Sequence, residues 1–548
     1  MSNFEYTGLA PRRWITMDGD ASTSDAQDRA TSEIISGALN HIDGARLLSV
    51  SLNIDGIVAT EPPPWLPIPV STINGLPSFV DVSVQMKTPG GHYAHVRVWV
   101  PLIWNERFLG LGGGGNRPGG NSMIMDPPQT AQILSLPDAI RNGFSSASTD
   151  GGITDPRMID WPLIGDTGTL DMELIQNWVH RSTHDMTVIG KAVTEAIHDK
   201  PPLFSYFFGG SGGGRQALME AQRYPDDYQG IWSQDPVISY SKLYPAEFWP
   251  AMVMHAAENP MPPAKFEAFR EAAVIAGGGS LQDGLNFVST LDPVDVDPFD
   301  LIDTVTSEGV ITEADASVMQ QIWEGPKADD GSPLWFGLRP GVRSWGAIGL
   351  AVVADTPEGP EPAPFFIAER YLGGWIAKRD EWNWRDLTLK SYHDLFQQSI
   401  EEMAFTDTDD PNLSNFREAG GKLLLTHAMD DEVIPHQGSV LYFERVLHEM
   451  GGLDKTSTFA RLFLAPGAGH ISADGEGPGL TASAAMSGLM KWVEEGIAPT
   501  SFIAERWDKG GVEILSTRPI YPYPAVAQYL GSGDPLQAVN YEPSTLQD

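Results

Sequence analysis

The stretch Phe204–Tyr224, FSYFFGGSGGGRQALMEAQRY, decides how this chain is read. Phe204 to Phe208 is aromatic and leans toward a strand, and Gly209-Gly210-Ser211-Gly212-Gly213 follows at once. Ala217, Leu218, Ala221 and Tyr224 then recur on one side of a helix. Strand, tight Gly-x-Ser-x-Gly turn and helix form the context of a nucleophile elbow, where small flanking residues let the chain turn sharply and lift the Ser hydroxyl above a sheet. The N–H of Gly212 falls at the helix N-terminus, where it can face a developing oxyanion. A flexible glycine loop between two elements is the plain alternative.

Working outward, Phe79–Val84 and His95–Val100 alternate apolar and polar residues around Pro89-Gly90-Gly91, which predicts an antiparallel hairpin with one buried face. Trp104–Leu111 runs as a strand into Gly112–Gly115, a run whose backbone donors no side chain covers. Gly113 and Gly114 are therefore candidates, with Gly212, for an oxyanion hole. Phe144–Asp150 reads as a further strand and 170–200 as helix, so buried strands alternate with helices. That pattern predicts an α/β fold with a mostly parallel sheet covered on both faces. His184, alone in that helix, reads as a structural residue.

Past Gln234-Asp235-Pro236 the rhythm breaks, and residues 240–400 are rich in Trp, Pro and Gly with helical segments near 264–276 and 313–323. They read as an inserted lid domain between core segments 1–239 and 401–548. Asp292, Asp295, Asp297, Asp300 and Asp303 lack the spacing of an EF-hand and read as a solvated turn. The sheet resumes at Lys422–Thr426, ending in His427-Ala428-Met429-Asp430-Asp431-Glu432-Val433-Ile434-Pro435. Arg461–Ala465 then ends in Pro466-Gly467-Ala468-Gly469-His470. A carboxylate and an imidazole thus each follow a core strand, at the edge where open α/β sheets build sites. His427 and His436 flank the acid loop, but only His470 follows a strand through a small-residue loop. Asp430, Asp431 and Glu432 compete as the acid, and spacing does not choose among them. The chain from 518 to 542 is predicted to pack across the core.

The 548 residues suggest more than one ordinary domain, and 72 acidic against 35 basic residues give a net charge of -37. That balance disfavours nucleic acid and anionic membrane surfaces as partners. The absence of cysteine excludes disulfides and thiolate metal sites. Residues 1–45 read as a polar arm, and with no visible leader a cytoplasmic protein is expected, although a trimmed leader would look the same.

The order Ser211, acid, His470 is that of the α/β-hydrolases. Several segments resemble the tannase and feruloyl esterase family: Trp104–Leu109 with its glycines, Ala147–Asp150, Gly209–Tyr224, Gly421–Pro435, Ala465–His470 and Gly531–Pro535. The resemblance implies Ser211 as nucleophile and His470 as base. Asp431, four residues before Pro435, becomes the acid. It also implies a serine carboxylic-ester hydrolase working through an acyl-enzyme on a small-molecule ester of an aromatic acid. Arg339, Arg343, Trp335 and Trp345 are candidate lid contacts to substrate. Another acyl or carbon–carbon bond cleavage at the same site is the alternative. Two family features are missing. The Cys pair that flanks the family's Ser and His is replaced by Gly210 and Ile471, with Val80 and Tyr521 at other cysteine positions, so packing, with Ile471 itself the candidate, has to hold the His470 loop. The family's lid calcium loop corresponds to Gly277–Gly284, where only Asp283 remains, so no metal or other cofactor is expected.

Overall fold

The computed structural model describes residues 23–62, 69–127, 132–291, 293–328, 330–345, 349–471, 476–508 and 510–545. Residues 1–22 of the expected arm, and Asp292, lie outside the described residues. Nine strands form one sheet: β1 (Ala45–Asn53), β2 (Phe79–Lys87), β3 (Tyr93–Pro101), β4 (Arg107–Leu111), β5 (Ser145–Thr149), β6 (Phe204–Gly210), β7 (Gly230–Gln234), β8 (Lys422–Ala428) and β9 (Ala460–Ala465). Their spatial order is β1-β2-β3-β5-β4-β6-β7-β8-β9. The first three strands are antiparallel, with Val82 opposite Val98 in the expected hairpin, and β5 to β9 run parallel. The described part of the expected arm is folded instead: helices Thr23–Arg29 and Ser32–Leu39 send Ala26, Ile35 and Leu39 into a core cluster before β1 begins.

Alternation along the central strands fills both faces. Phe207, Ile231, Leu423, Leu425 and Leu462 join one core cluster with Met186, Ile189 and Val193 of helix α1 (Ser182–His198) and Ala217, Leu218 and Ala221 of α2 (Gly212–Arg223). Tyr206, Phe208, Trp232, Leu424 and Phe463 join the opposite cluster with Met486, Leu489 and Trp492 of the helix Ala482–Glu495. Side chains one residue apart point to opposite faces, so each strand contributes to two cores and the sheet is the middle layer of an α/β sandwich.

The helix predicted over 170–200 is broken. Met172–Gln176 passes through a π-turn, Asn177–Arg181, before α1 begins. The reason lies in α2. Arg215 is fully buried, sits 3.9 Å from the Trp178 ring and donates to the Trp178 and Val179 carbonyls at 2.9 and 3.1 Å. The widened turn turns those oxygens toward a cation that has no water to solvate it. His184 pairs with Asp227 at 2.7 Å and stacks on Tyr224, away from any catalytic arrangement.

Among the described residues, none from 240 to 403 enters the large sheet. Helix α3 (Tyr240–Ala256), with Pro263–Ala276, Glu313–Glu324 and Leu389–Met403, packs in a third, aromatic cluster. Trp178, Tyr240, Tyr371 and Trp375 meet there edge to face or tilted, with centroids 5.0 to 5.8 Å apart. After the core, the chain returns to the sheet edge, where the Tyr523 N–H donates to the Leu462 carbonyl at 2.8 Å. No helix among the described residues is long and apolar enough to cross a membrane.

Gly190 fixes how closely α1 approaches the sheet: a Cβ there would lie 2.6 Å from two Phe108 ring carbons and 3.0 Å from the Ala147 Cβ. Gly and Val differ little in helix propensity, so overpacking decides the sign. Gly190→Val is expected to cost about 1–3 kcal/mol, read as a lower urea midpoint at unchanged m.

Candidate active site

The turn after β6 carries Ser211 at φ 58° and ψ −121°, a conformation an L-residue adopts only under constraint. Its N–H donates to the Gln234 carbonyl at 2.9 Å, and its carbonyl accepts from Arg215 at 3.2 Å as α2 starts. The turn is thus pinned on both sides and the hydroxyl stands at the carboxyl edge of the parallel strands. Gly212 leaves no room for a substituent, whereas a Cβ on Gly210 would press only on Ile471 Cγ2, at 3.2 Å. A Cβ on Gly212 would lie 2.1 Å from the Gly115 carbonyl oxygen.

Loops after β8 and β9 bring the other two groups to that edge. His470 Nε2 is 3.0 Å from Ser211 Oγ, and its Nδ1 is 2.7 Å from Asp431 Oδ2. Three residues competed as the acid, and each has a distinct place. Asp430 faces Arg339 at 3.5 Å, Glu432 accepts the His470 backbone N–H at 3.0 Å, and Asp431 alone reaches the ring. Asp431 Oδ1 also accepts from the Val433 and Ile434 N–H groups at 2.9 and 2.8 Å. His427 Nε2 lies 3.4 Å from Asp431 Oδ2 and 3.0 Å from the Ile434 carbonyl. A carbonyl only accepts, so that nitrogen carries the proton and is a donor.

Electrostatics follow from burial and these partners. Desolvation lifts the Asp431 carboxyl, but His470 and His427 outweigh it and hold the group well below the usual carboxylate range. Burial lowers the His470 imidazolium, yet Asp431, then Asp235 and Glu432, push it up to about 9. Asp235, His427 and Asp431 offer ligand atoms within 4.8 Å of one another, the one such group among the described residues. Their atoms are engaged by hydrogen bonds: Asp235 Oδ1 takes the Ala428 N–H at 2.7 Å, Oδ2 takes the Ile471 N–H at 2.9 Å, and His427 Nδ1 meets Ser439 Oγ at 2.7 Å. In the loop 277–284, Asp283 accepts from the Ser280 hydroxyl at 2.7 Å, and farther on Asp297 caps the turn Pro298–Leu301.

The glycine loop after β4 lies against the start of α2. The Gly113 N–H donates to Gln216 Oε1 at 2.9 Å, so it is committed and does not face the space above Ser211 as expected. Gly114 is exposed, a Cβ on it would meet nothing within 4 Å, and its N–H has no acceptor among the described residues. Gln216 Nε2 donates in turn to Thr183 Oγ1 at 2.8 Å. Asn116 joins Tyr240 Oη at 2.6 Å and Tyr244 Oη at 2.9 Å.

The four residues expected to contact substrate have unequal places. Arg339 is buried, donates to the Thr290 carbonyl and lines, with Trp345, a cavity walled by Phe266, Met319 and Trp323. Trp335 is buried against Gly438, with Lys242 over its ring at 5.6 Å. Arg343 is exposed, 5.8 Å from the Trp345 ring centre and 3.9 Å from Glu476. A second cavity, lined by Leu243, Trp249, Phe336, Leu338, Val433 and Pro435, also contains Glu247. Glu247 is buried, and desolvation raises its carboxyl well above the ordinary range, with His470 opposing and Asp431 adding. Gln216, Asp235 and Glu247 were not among the sequence-derived site residues.

A serine on a strand-to-helix elbow, with an imidazole and a carboxylate from loops past later parallel strands, defines the α/β-hydrolase class. Within that class the chain belongs to the tannase and feruloyl esterase family, whose sequence model matches residues 84–543. It is 35% identical over 534 residues, 95% of each chain, to a probable feruloyl esterase of Arthroderma benhamiae. It is 28% identical over 507 residues, 81% of this chain and 80% of the other, to the mono(2-hydroxyethyl) terephthalate hydrolase of Piscinibacter sakaiensis. In fold it resembles the tannin acyl hydrolase from Aspergillus niger, with a TM-score of 0.77 at 21% identity over 95% of this chain and 96% of the other. The membership makes the chain a carboxylic-ester hydrolase.

The pair His470–Asp431 fixes a stability window. A raised imidazole contributes fully below its ordinary 6.5 and loses that contribution as pH rises through about 9. A depressed carboxyl contributes above its ordinary 3.8 and loses that as pH falls through its lowered value. Asp431→Asn is expected to drop the His470 titration below 6.5, since burial then acts against a weakened partner. An NMR titration of the imidazole checks it, and an unmoved midpoint contradicts the assignment.

Proposed function

We propose that Ser211, His470 and Asp431 act as nucleophile, base and orienting carboxylate in a two-step ester hydrolysis through an acyl-enzyme. The observation that carries this reading is the unbroken hydrogen-bond chain from Asp431 Oδ2 through both nitrogens of His470 to Ser211 Oγ, at 2.7 and 3.0 Å. Serine is a weak nucleophile at neutral pH and needs a base to take its proton as it attacks the ester carbonyl. His470 Nε2 takes that proton and returns it to the departing alkoxide. Asp431 keeps the other nitrogen protonated and supports the imidazolium. Water then attacks the acyl-enzyme, with His470 again as base, and the acid leaves. The N–H groups of Gly212 and Gly114 are assigned to the oxyanion. Nucleophile, proton carrier and oxyanion donors are all groups of this chain, so we propose that the steps need no cofactor.

The acyl group is assigned to esters of aromatic acids. The printed names of the relatives, feruloyl esterase and mono(2-hydroxyethyl) terephthalate hydrolase, support that class.

Ser211→Ala is expected to lower kcat/KM for methyl hydroxycinnamates by about 10⁴-fold or more, while leaving the unfolding midpoint within about 0.5 kcal/mol. Unchanged hydrolysis sinks the assignment, and a preference for thioesters or diketones over esters redirects the substrate class. His470 works as base only when neutral, so kcat/KM is expected to rise with pH toward a midpoint near 9. Gly212→Ala forces the elbow away from Gly115, with an expected loss of about 10²–10³-fold in kcat, the cost of one oxyanion donor.

A further inference from the structure

Beneath the imidazole lies a second carboxylate that the acyl-transfer steps do not use. Asp235 follows β7 at φ 39°, is 0% exposed, and donates its own N–H to the Thr426 carbonyl at 2.9 Å. Its two oxygens divide between two loops. Oδ1 accepts from Ala428, at the end of the strand that leads to Asp431, at 2.7 Å. Oδ2 accepts from Ile471, the residue after His470, at 2.9 Å. The preceding residue, Gln234, takes the Ser211 N–H. One strand end therefore holds the backbone beside nucleophile, acid and base together.

Ile471 needs such a hold. It sits at φ 45°, a region that a β-branched residue enters only when the surroundings force it. Its side chain rests near Gly210, where a Cβ would lie 3.2 Å from Ile471 Cγ2. Removing the Asp235 acceptor leaves a half-buried N–H without its partner and the strain unopposed.

We propose that Asp235 is the positioning residue of the base: its carboxylate fixes the loop that carries His470 and supports the positive imidazolium during proton transfer. The inference rests on the acyl-transfer reading above. Charges facing Asp235 are His427, Asp431 and His470, and those facing His470 are Asp431, Asp235, Glu432 and Glu247. Burial, with the nearby Asp431 charge, raises the Asp235 carboxyl above its ordinary value, against the opposing pull of His427, His470 and the Ala428 N–H. Its charge is one of the causes that raise His470. Asp235→Asn keeps the size, removes the charge, and turns an NH₂ toward one of the two N–H donors.

The test measures fluorophosphonate labelling of Ser211 against pH, a readout independent of the ester. Asp235→Asn is expected to slow the plateau rate by about 10- to 100-fold, the scale of a misplaced catalytic group. Its rising limb is expected to move to lower pH by about one unit. Adding Gly210→Cys and Ile471→Cys offers a covalent hold at the same place, since the Ile471 side chain already lies 3.2 Å from where a Gly210 Cβ would stand. When oxidised it is expected to restore the plateau to within a few fold while the limb stays low, because position returns and charge does not. A wild-type plateau and limb in Asp235→Asn overturn the proposal, and recovery of the limb together with the plateau overturns its electrostatic half. If Asp235→Asn alone does not fold, the limb measured in the oxidised cysteine background decides. Failure of the wild-type protein to label at Ser211 overturns the acyl-transfer reading itself, and this inference with it.

Discussion

A carboxylate with 4% exposure stays ionised only where donors replace the water it has lost, and at Asp431 four do so. Two are backbone N–H groups of its own loop, and two are imidazoles. The same charge that Val433 and Ile434 stabilise is the largest favourable influence on the His470 imidazolium. Loop closure and proton affinity are therefore one constraint. The acid loop has to fold tightly around the carboxylate before the ring can hold its proton against burial. A flexible loop would admit water, weaken the pair and lose both orientation and proton affinity.

The parallel sheet makes the arrangement possible by ending β4, β6, β7, β8 and β9 on one edge. Each strand is locked by alternating side chains into two cores, so its last residue is placed to the precision of a packed interior. The loops beyond inherit that precision over only a few residues. A hydrogen bond of 3.0 Å between atoms 259 positions apart in the chain is the result.

The elbow, the hairpin and the His470 loop were legible in sequence because each is local. A glycine-flanked serine, a period of two, and a strand running into small residues are patterns within a dozen positions. The acid was less legible. Asp430, Asp431 and Glu432 are adjacent, and which one meets the ring depends on how the loop turns; Arg339 takes Asp430 from 91 positions away. The π-turn at 177–181 was hidden because its cause, Arg215, lies on another helix. Gln216 and Asp235 act on partners 103 and 236 positions distant. No periodicity records such a pairing. The expected hold on the His470 loop by Ile471 packing was half of the matter: the side chain does sit near Gly210, but the backbone N–H on Asp235 supplies the directional bond.

Asn116 takes both Tyr240 and Tyr244 as hydrogen-bond partners, and these stand on successive turns at the start of α3. The start of the segment 240–403, which stays out of the large sheet, is thereby tied to the chain that follows the glycine run. Exchange of that segment between related chains thus has a natural seam. A graft that begins after Tyr244 keeps the tie, and one that begins at Tyr240 discards it and frees the glycine segment to drift.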